Sequence, residues 1–253
     1  MRTGAVVMID ALGFKGIWDG ADPSVILRKM GALKQAAESD IKGVKLGHVR
    51  GAKVAFLSDT IVIGVASGQP VGRGPGPNKR GNVRAIMQAA FQTASVLAAA
   101  LEEAPRLAYR GCLTFGEFEI DGPFVLGPAI DEAATHYECA DGAFVWLTPK
   151  AKAIADADAD TSYFQSAPAV CFVVPLKAGA SFETWTVTPF GWRVAAVDRQ
   201  DVAERLLGTF DRDPKTRDRM DVAVKRQNTR RFLEQALGSE VPPPSRRRMS
   251  PAR

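Results

Sequence analysis

Apolar and polar positions along the chain predict a mixed succession of strands and helices. Residues 4 to 10 are apolar on both faces, the pattern of a central strand. Val25, Ile26, Met30, Leu33 and Ala37 then recur at helical spacing between Pro23 and Ser39, with the proline near the start of the helix. Two β-type runs, residues 45 to 57 and 60 to 66, flank Ser58-Asp59 and predict a hairpin with the aspartate at its tip. Residues 67 to 82 are rich in Gly and Pro without apolar pattern and read as a surface loop. Ile86, Ala90, Ala94, Leu97 and Leu101 predict a long helix from Val83 to Glu103, ended by Pro105.

The second half continues in the same manner. Residues 107 to 120 predict a long strand, Asp121-Gly122 a turn, and residues 123 to 126 the returning strand. A helix is expected from Ala129 to Cys139 and a strand from Phe144 to Leu147. Thr148-Pro149 then read as cap and first residue of a short helix to Asp156. Residues 169 to 175 and 183 to 188 predict a last pair of strands. This order implies an α+β sandwich, helices packed on a mostly antiparallel sheet, with a split β-α-β, ferredoxin-like core. The predicted organisation is a main domain over residues 1–197, a charged helical segment over 198–237, and a disordered basic tail over 238–253.

Composition narrows the function classes. The chain has 253 residues, 46% hydrophobic and 24% charged, enough for a sizeable core and ordinary for a globular protein. Its three cysteines lack CxxC spacing and predict reduced thiols, hence a cytoplasmic setting. No apolar run approaches the length of a membrane span and no leader pattern precedes the first strand, so a membrane is not among the predicted partners. The net charge of +5 owes much to residues 225 to 253, a basic run without interleaved aromatics. Such a run reads as a solvated tail rather than a nucleic-acid face. His48 and His136 lack partners at ligand spacing, and zinc is not predicted.

The candidate chemistry lies in two stretches, AVVMIDALGFKG (residues 5–16) and KVAFLSDTIVIGV (residues 53–65). Asp10 and Asp59 each end or interrupt a buried β-type run, and two such carboxylates can share one divalent cation. Each alone reads equally well as a helix cap or a turn residue.

These residues resemble the class III nucleotidyl cyclases. The family's first signature, a strand ending in Asp followed by Ile, any residue, Gly and Phe, is similar to Ile9-Asp10-Ala11-Leu12-Gly13-Phe14 here. Its Gly-Asp hairpin resembles Ser58-Asp59. Its Arg-x-Gly-x-x-x-Gly strand resembles Arg110 to Gly116, and its Gly-x-x-Val-Asn-x-Ala block resembles Gly127 to Ala133. The resemblance spans residues 4 to 155. It implies a nucleoside triphosphate substrate whose 3′-hydroxyl attacks the α-phosphorus, with two Mn²⁺ or Mg²⁺ ions per site. By the same resemblance Asp10 and Asp59 are metal ligands and catalytic, Ala11 offers its carbonyl, and the amides from Leu12, Gly13, Phe14 and Lys15 to Gly16 cradle phosphates. It further implies a homodimer with composite active sites.

The departures from the family shape the expected specificity. The family's purine-reading Lys is replaced by Ala55, and its base-reading Asp by Phe124. Its transition-state Asn corresponds to Asp131, and the Arg four residues on to Thr135. Arg50, Lys53, Lys79 and Arg80 are candidate replacement cations, and Lys53 or Arg50 is a candidate reader of a pyrimidine carbonyl. The pyrimidine cyclases of bacterial Pycsar anti-phage systems are similar in altering the purine-reading positions. The implied activity is therefore conversion of UTP or CTP to its cyclic nucleotide, sensed by a separate effector that this chain does not contact. An adenylate or guanylate cyclase with an altered pocket, a catalytically silent nucleotide-binding regulator and a nucleic-acid-binding protein are the alternatives.

Overall fold

A computed structural model describes residues 1–14, 17, 22–39, 52–68, 79–157, 167–191, 194–212 and 218–239. The described elements run β1 (Arg2–Leu12), α1 (Pro23–Ser39), β2 (Lys53–Leu57), β3 (Thr60–Ala66), α2 (Lys79–Glu102), β4 (Ala108–Asp121) and β5 (Phe124–Leu126). They continue with α3 (Pro128–His136), β6 (Val145–Leu147), α4 (Pro149–Asp156), β7 (Ala169–Pro175), β8 (Ser181–Val187), α5 (Arg199–Gly208) and α6 (Met220–Gly238). The expected residues 45 to 51 of the hairpin, most of the expected surface loop and the expected basic tail lie outside the described residues.

One sheet carries the fold, in the order β2-β3-β1-β4-β6-β8-β7, with β5 paired to β4. The first four of these strands, β2-β3-β1-β4, are antiparallel neighbours interleaved by α1 and α2, which is the ferredoxin-like arrangement. The β4–β6 pair is parallel, so the sheet is mixed but mostly antiparallel, as the α+β reading expects.

Alternation along β1 explains why both faces are covered. Ala5, Val7, Ile9 and Ala11 face a core shared with α1, α2 and α4, while Val6 and Met8 face a second core built with α3, α5 and α6. Each fully buried Val or Ile contributes about 1.5–3 kcal/mol relative to exposure, so β1, with its neighbours β3 and β4, anchors both cores. Helix α2 is long and apolar enough to cross a membrane by length and composition, but 78% of that window is buried against the sheet. Its first turn, Lys79 to Asn82, precedes the expected start at Val83.

Three local expectations change. Strand β1 does not stop at Asp10, because Ala11 and Leu12 continue the ladder opposite Tyr109 and Ala108. Glycine makes that close approach possible at Gly111, where a Cβ would lie 2.1 Å from the Met8 carbonyl oxygen. Thr148 occupies the N-cap of α4 without capping it, since its hydroxyl bonds Glu132 at 2.8 Å and Thr114 at 3.2 Å across the core. Strand β8 begins at Ser181 rather than Glu183, extended by pairing with Pro175.

The charged C-terminal helices pack on this core. Phe232, Leu233 and Ala236 of α6 are buried against Phe144 and Phe172, and Thr229 accepts the Ala143 amide at 2.9 Å. Asn228 and Gln235 donate to the carbonyls of Asp141 and Cys171.

Candidate active site

Asp10 is the third-last residue of β1, on the face away from α1 and α2, and Asp59 stands in the two-residue turn between β2 and β3. The ladder brings them together: Asp10 is directly opposite Thr60 on β3, and Arg110 is opposite it on β4. Asp10 Oδ1 accepts the Thr60 hydroxyl at 3.1 Å, and Arg110 Nη2 lies 3.7 Å from Oδ2 while donating to Glu138 Oε1 at 2.7 Å. The Asp10 and Arg110 side chains are only 16% and 12% exposed, so their charges are poorly screened.

Burial, then the nearby charge of Asp59, holds the Asp10 carboxyl above its usual range. The Thr60 hydrogen bond and Arg110 oppose that shift, and Glu138 adds a small repulsion. The two aspartates therefore repel each other across a partly desolvated space. Tyr109, beside Arg110 on β4, has its phenol pushed well above its ordinary value by burial and by the charges of Asp59 and Asp10. Its hydroxyl is buried with no hydrogen-bond partner among the described residues.

The turn that follows β1 begins at Gly13, whose φ of +71° is the left-handed conformation glycine adopts freely. Leu12 is half-buried, and Phe14 is buried in the helix-side core with Ile17. The other turn is less relaxed: Ser58 carries a φ of +61° where the resembled family has glycine.

The remaining candidates fall in different places. Lys15 and Arg50 lie outside the described residues. Lys53 shares the face of Ala55, as period-two alternation requires, but its ammonium is held by Glu119 at 2.9 Å and by the Ile120 carbonyl. Ala55 is buried, whereas Phe124 is 71% exposed on β5. Asp131 is exposed in the first turn of α3, and Thr135 returns its hydroxyl to the Asp131 carbonyl at 2.9 Å. No hydrogen bond or ion pair among the described residues joins Phe124 or Asp131 to the aspartate pair. Lys79 and Arg80 are exposed at the start of α2.

Sequence reasoning did not assign roles to Thr60, Tyr109, Arg110 or Glu138. For Arg110 a signal exists, the one cation of β4, set in its apolar first half, which demands a partner. The partner's identity needed the register between β1 and β4.

Comparison with known proteins adds the following. No family model matches the chain, and no curated protein matches it. Solved structures are similar, among them the catalytic core of a rhodopsin-guanylyl cyclase with converted specificity in complex with ATPαS and an adenylate/guanylate cyclase/hydrolase from Silicibacter pomeroyi. The first is 14% identical over 74% of this chain and 95% of that one, with a TM-score of 0.48. The second is 14% identical over 75% of this chain and 97% of that one, with a TM-score of 0.39. Neither likeness settles a family.

The donor set suits a hard divalent cation. Two carboxylates whose charges repel gain from a cation between them, and all-oxygen donors favour Mg²⁺ or Mn²⁺. Among the described residues no group of three or more His, Cys, Asp and Glu side chains is placed to hold a metal. A cation at Asp10 and Asp59 would complete its shell with backbone, water or phosphate oxygens, which is how substrate-linked Mg²⁺ is usually held.

Proposed function

We propose that this chain is a nucleotidyl cyclase that converts a pyrimidine nucleoside triphosphate, UTP or CTP, to its 3′,5′-cyclic nucleotide and pyrophosphate. The observation that supports the reading is that Asp10 lies opposite Thr60, the residue after Asp59, with the two carboxylates electrostatically coupled next to a glycine turn. Asp10 and Asp59 would hold Mn²⁺ or Mg²⁺. When bound, the ions supply charge neutralisation at the phosphates and lower the pKa of the attacking hydroxyl.

The protein's own contribution is placement. Thr60 orients one oxygen of Asp10, and Arg110 balances part of the acidic charge while Glu138 anchors its guanidinium. The Gly13 turn offers backbone amides to the β- and γ-phosphates in the sense that a chain entering a helix does. The in-line attack forms the bond from the 3′-oxygen to the α-phosphorus as the hydroxyl proton passes to solvent, and breaks the bond from the α-phosphorus to the bridging oxygen, so that pyrophosphate leaves with that electron pair.

The pyrimidine preference is supported by the loss of polar groups at Ala55 and Phe124. A pocket lacking donors placed for purine edges forfeits the discrimination that unsatisfied polar groups provide. Lys53, tied to Glu119, is a weaker base-reading candidate than Arg50. A homodimer with composite sites is part of this reading, and the exposed Phe124 and Leu126 of β5 are apolar surface such a partner would cover. Signalling in antiviral defence, through an effector the chain does not touch, follows from the resemblance to Pycsar cyclases alone. A second reading, a catalytically silent nucleotide-binding regulator, is favoured by Asp131 and by Thr135 bonded to its own helix.

One assay separates these readings. The full chain is incubated with Mn²⁺ and ATP, GTP, CTP or UTP separately, and products are identified by mass. Cyclic UMP or cyclic CMP is the expected result. A purine product would replace the pyrimidine assignment, and a folded protein that binds triphosphate without product would favour the regulator.

A further inference from the structure

The C-terminal segment reaches the candidate phosphate turn through one side chain. Arg212 is 199 positions from Gly13 in sequence, yet its Nη2 donates to the Gly13 carbonyl at 3.2 Å. Its Nη1 donates to the Arg106 carbonyl at 2.9 Å, so the guanidinium fork spans the connection into β4 and the turn leaving β1. A Cβ on Gly13 would lie 3.8 Å from the same Nη2, which puts the guanidinium in contact with the glycine itself.

We propose, resting on the cyclase reading above, that Arg212 is a positioning residue for triphosphate binding. In a trans peptide the carbonyl and the following N–H point in opposite directions, so fixing the Gly13 oxygen toward Arg212 fixes the sense of the Gly13–Phe14 peptide. The Phe14 ring, buried in the helix-side core, holds the other end of that peptide. Only the glycine tolerates the +71° φ freely, and a turn that soft needs an external restraint to stay in one conformation.

The restraint itself is anchored. Arg212 follows α5 and the 3₁₀ turn Thr209–Asp211, and Ala203, Leu206 and Phe210 of this stretch are buried. Arginine suits the task because two N–H groups of one rigid fork reach two carbonyls together, whereas a lysine is a single point charge. Arg205 lies near Arg212 on a cleft lined also by Arg106, and its ion pair is with Asp201 of its own helix rather than with the Gly13 turn, so it serves as a control.

The test uses the full chain with Arg212→Ala, Arg212→Lys and Arg205→Ala. Steady-state kinetics with Mn²⁺ and the preferred triphosphate are measured beside hydrogen exchange at the amides of residues 12 to 14. Arg212→Ala is expected to raise KM about tenfold with kcat changed less than about threefold, and to speed exchange about tenfold. Arg212→Lys should fall between it and the wild type, and Arg205→Ala should match the wild type. Unchanged KM and exchange in Arg212→Ala, or an equal effect of Arg205→Ala, overturns the proposal. If the wild type turns over no triphosphate, the cyclase reading fails by itself. Exchange and the affinity for a non-hydrolysable triphosphate then decide the role of Arg212, and Arg212→Lys decides it if the alanine variant does not fold.

Discussion

The two halves of the sheet bury their strands alike and treat charge differently. Around β6, β8 and β7, the rings of Phe144, Phe172 and Phe232 pack with centroids 5.3 to 5.6 Å apart. Buried Thr184, Thr188 and Thr229 there each bond a backbone carbonyl. Among the described residues, that half leaves the Thr186 hydroxyl and the Trp146 indole N–H without hydrogen-bond partners, but none of its charged side chains is fully buried. At the end of β1, β3 and β4, by contrast, the largely buried Asp10 and Arg110 lie near Asp59 and the exposed Glu138, and across the sheet the buried Tyr109 hydroxyl has no hydrogen-bond partner among the described residues. Burying ionised groups costs stability that hydrophobic packing does not. Apart from Lys29, whose ammonium is satisfied by the Ala99 and Glu103 carbonyls, this corner is where charge is withdrawn from water, and a cation there would relieve the repulsion between the aspartates.

The sharpest way to break this comparison is to neutralise the charged corner. Asp59→Asn is expected to lower turnover by about 10³-fold, the scale of losing a principal electrostatic group, with little change in Tm. A comparable loss of activity accompanied by unfolding would mean that the corner is structural.

The apolar half should respond in the opposite sense. Phe232→Ala is expected to cost about 3–5 kcal/mol of stability, read by denaturant unfolding, with KM unchanged in the protein that stays folded. A variant as stable as the wild type would show that α6 is not part of the core.

Acidity offers a finer contrast. The Asp10 carboxyl is raised in the folded state, so between the ordinary carboxylate range and that raised value the folded chain holds a proton that the unfolded chain has released. Its contribution to stability is therefore present at low pH and lost as pH rises through this window. Saturating Mn²⁺ should offset the loss at neutral pH, and Asp10→Asn should remove both the pH dependence and the response to Mn²⁺. Thermal melts from pH 4 to 8 read this directly, and a Mn²⁺ response retained in Asp10→Asn would contradict it.

The smallest expected effect is at the hairpin tip. Ser58→Gly relieves a left-handed φ and should stabilise the protein by about 1 kcal/mol without lowering turnover. A destabilised variant would mean that the serine side chain holds the turn.

These contrasts also show what was legible in the sequence. Helix α1 could be bounded at Pro23 and Ser39 because its apolar stripe and its proline speak about the same segment. The Ser58-Asp59 turn could be placed because two β-type runs bracket it, and the ferredoxin-like order followed from the alternation of elements. Asp10 and Asp59 could be paired as candidates because each interrupts an apolar run. Arg110 and Glu138 escaped assignment because their relation to Asp10 depends on the β1–β4 register and the place where α3 ends, neither of which has a local signal. The continuation of β1 through Ala11 and Leu12 was hidden for the same reason, since it is imposed by the partner strand. Arg212 is the extreme case: nothing near it in sequence refers to Gly13.

The most direct test of the central claim is a double-mutant cycle on Asp10→Asn and Asp59→Asn, with turnover of the preferred triphosphate measured at saturating Mn²⁺. If the two carboxylates act as one site, each single variant and the double variant should share the same residual rate, because removing either partner already destroys the unit. Losses that multiply in the double variant, or a single variant that keeps the wild-type rate, would contradict a shared site.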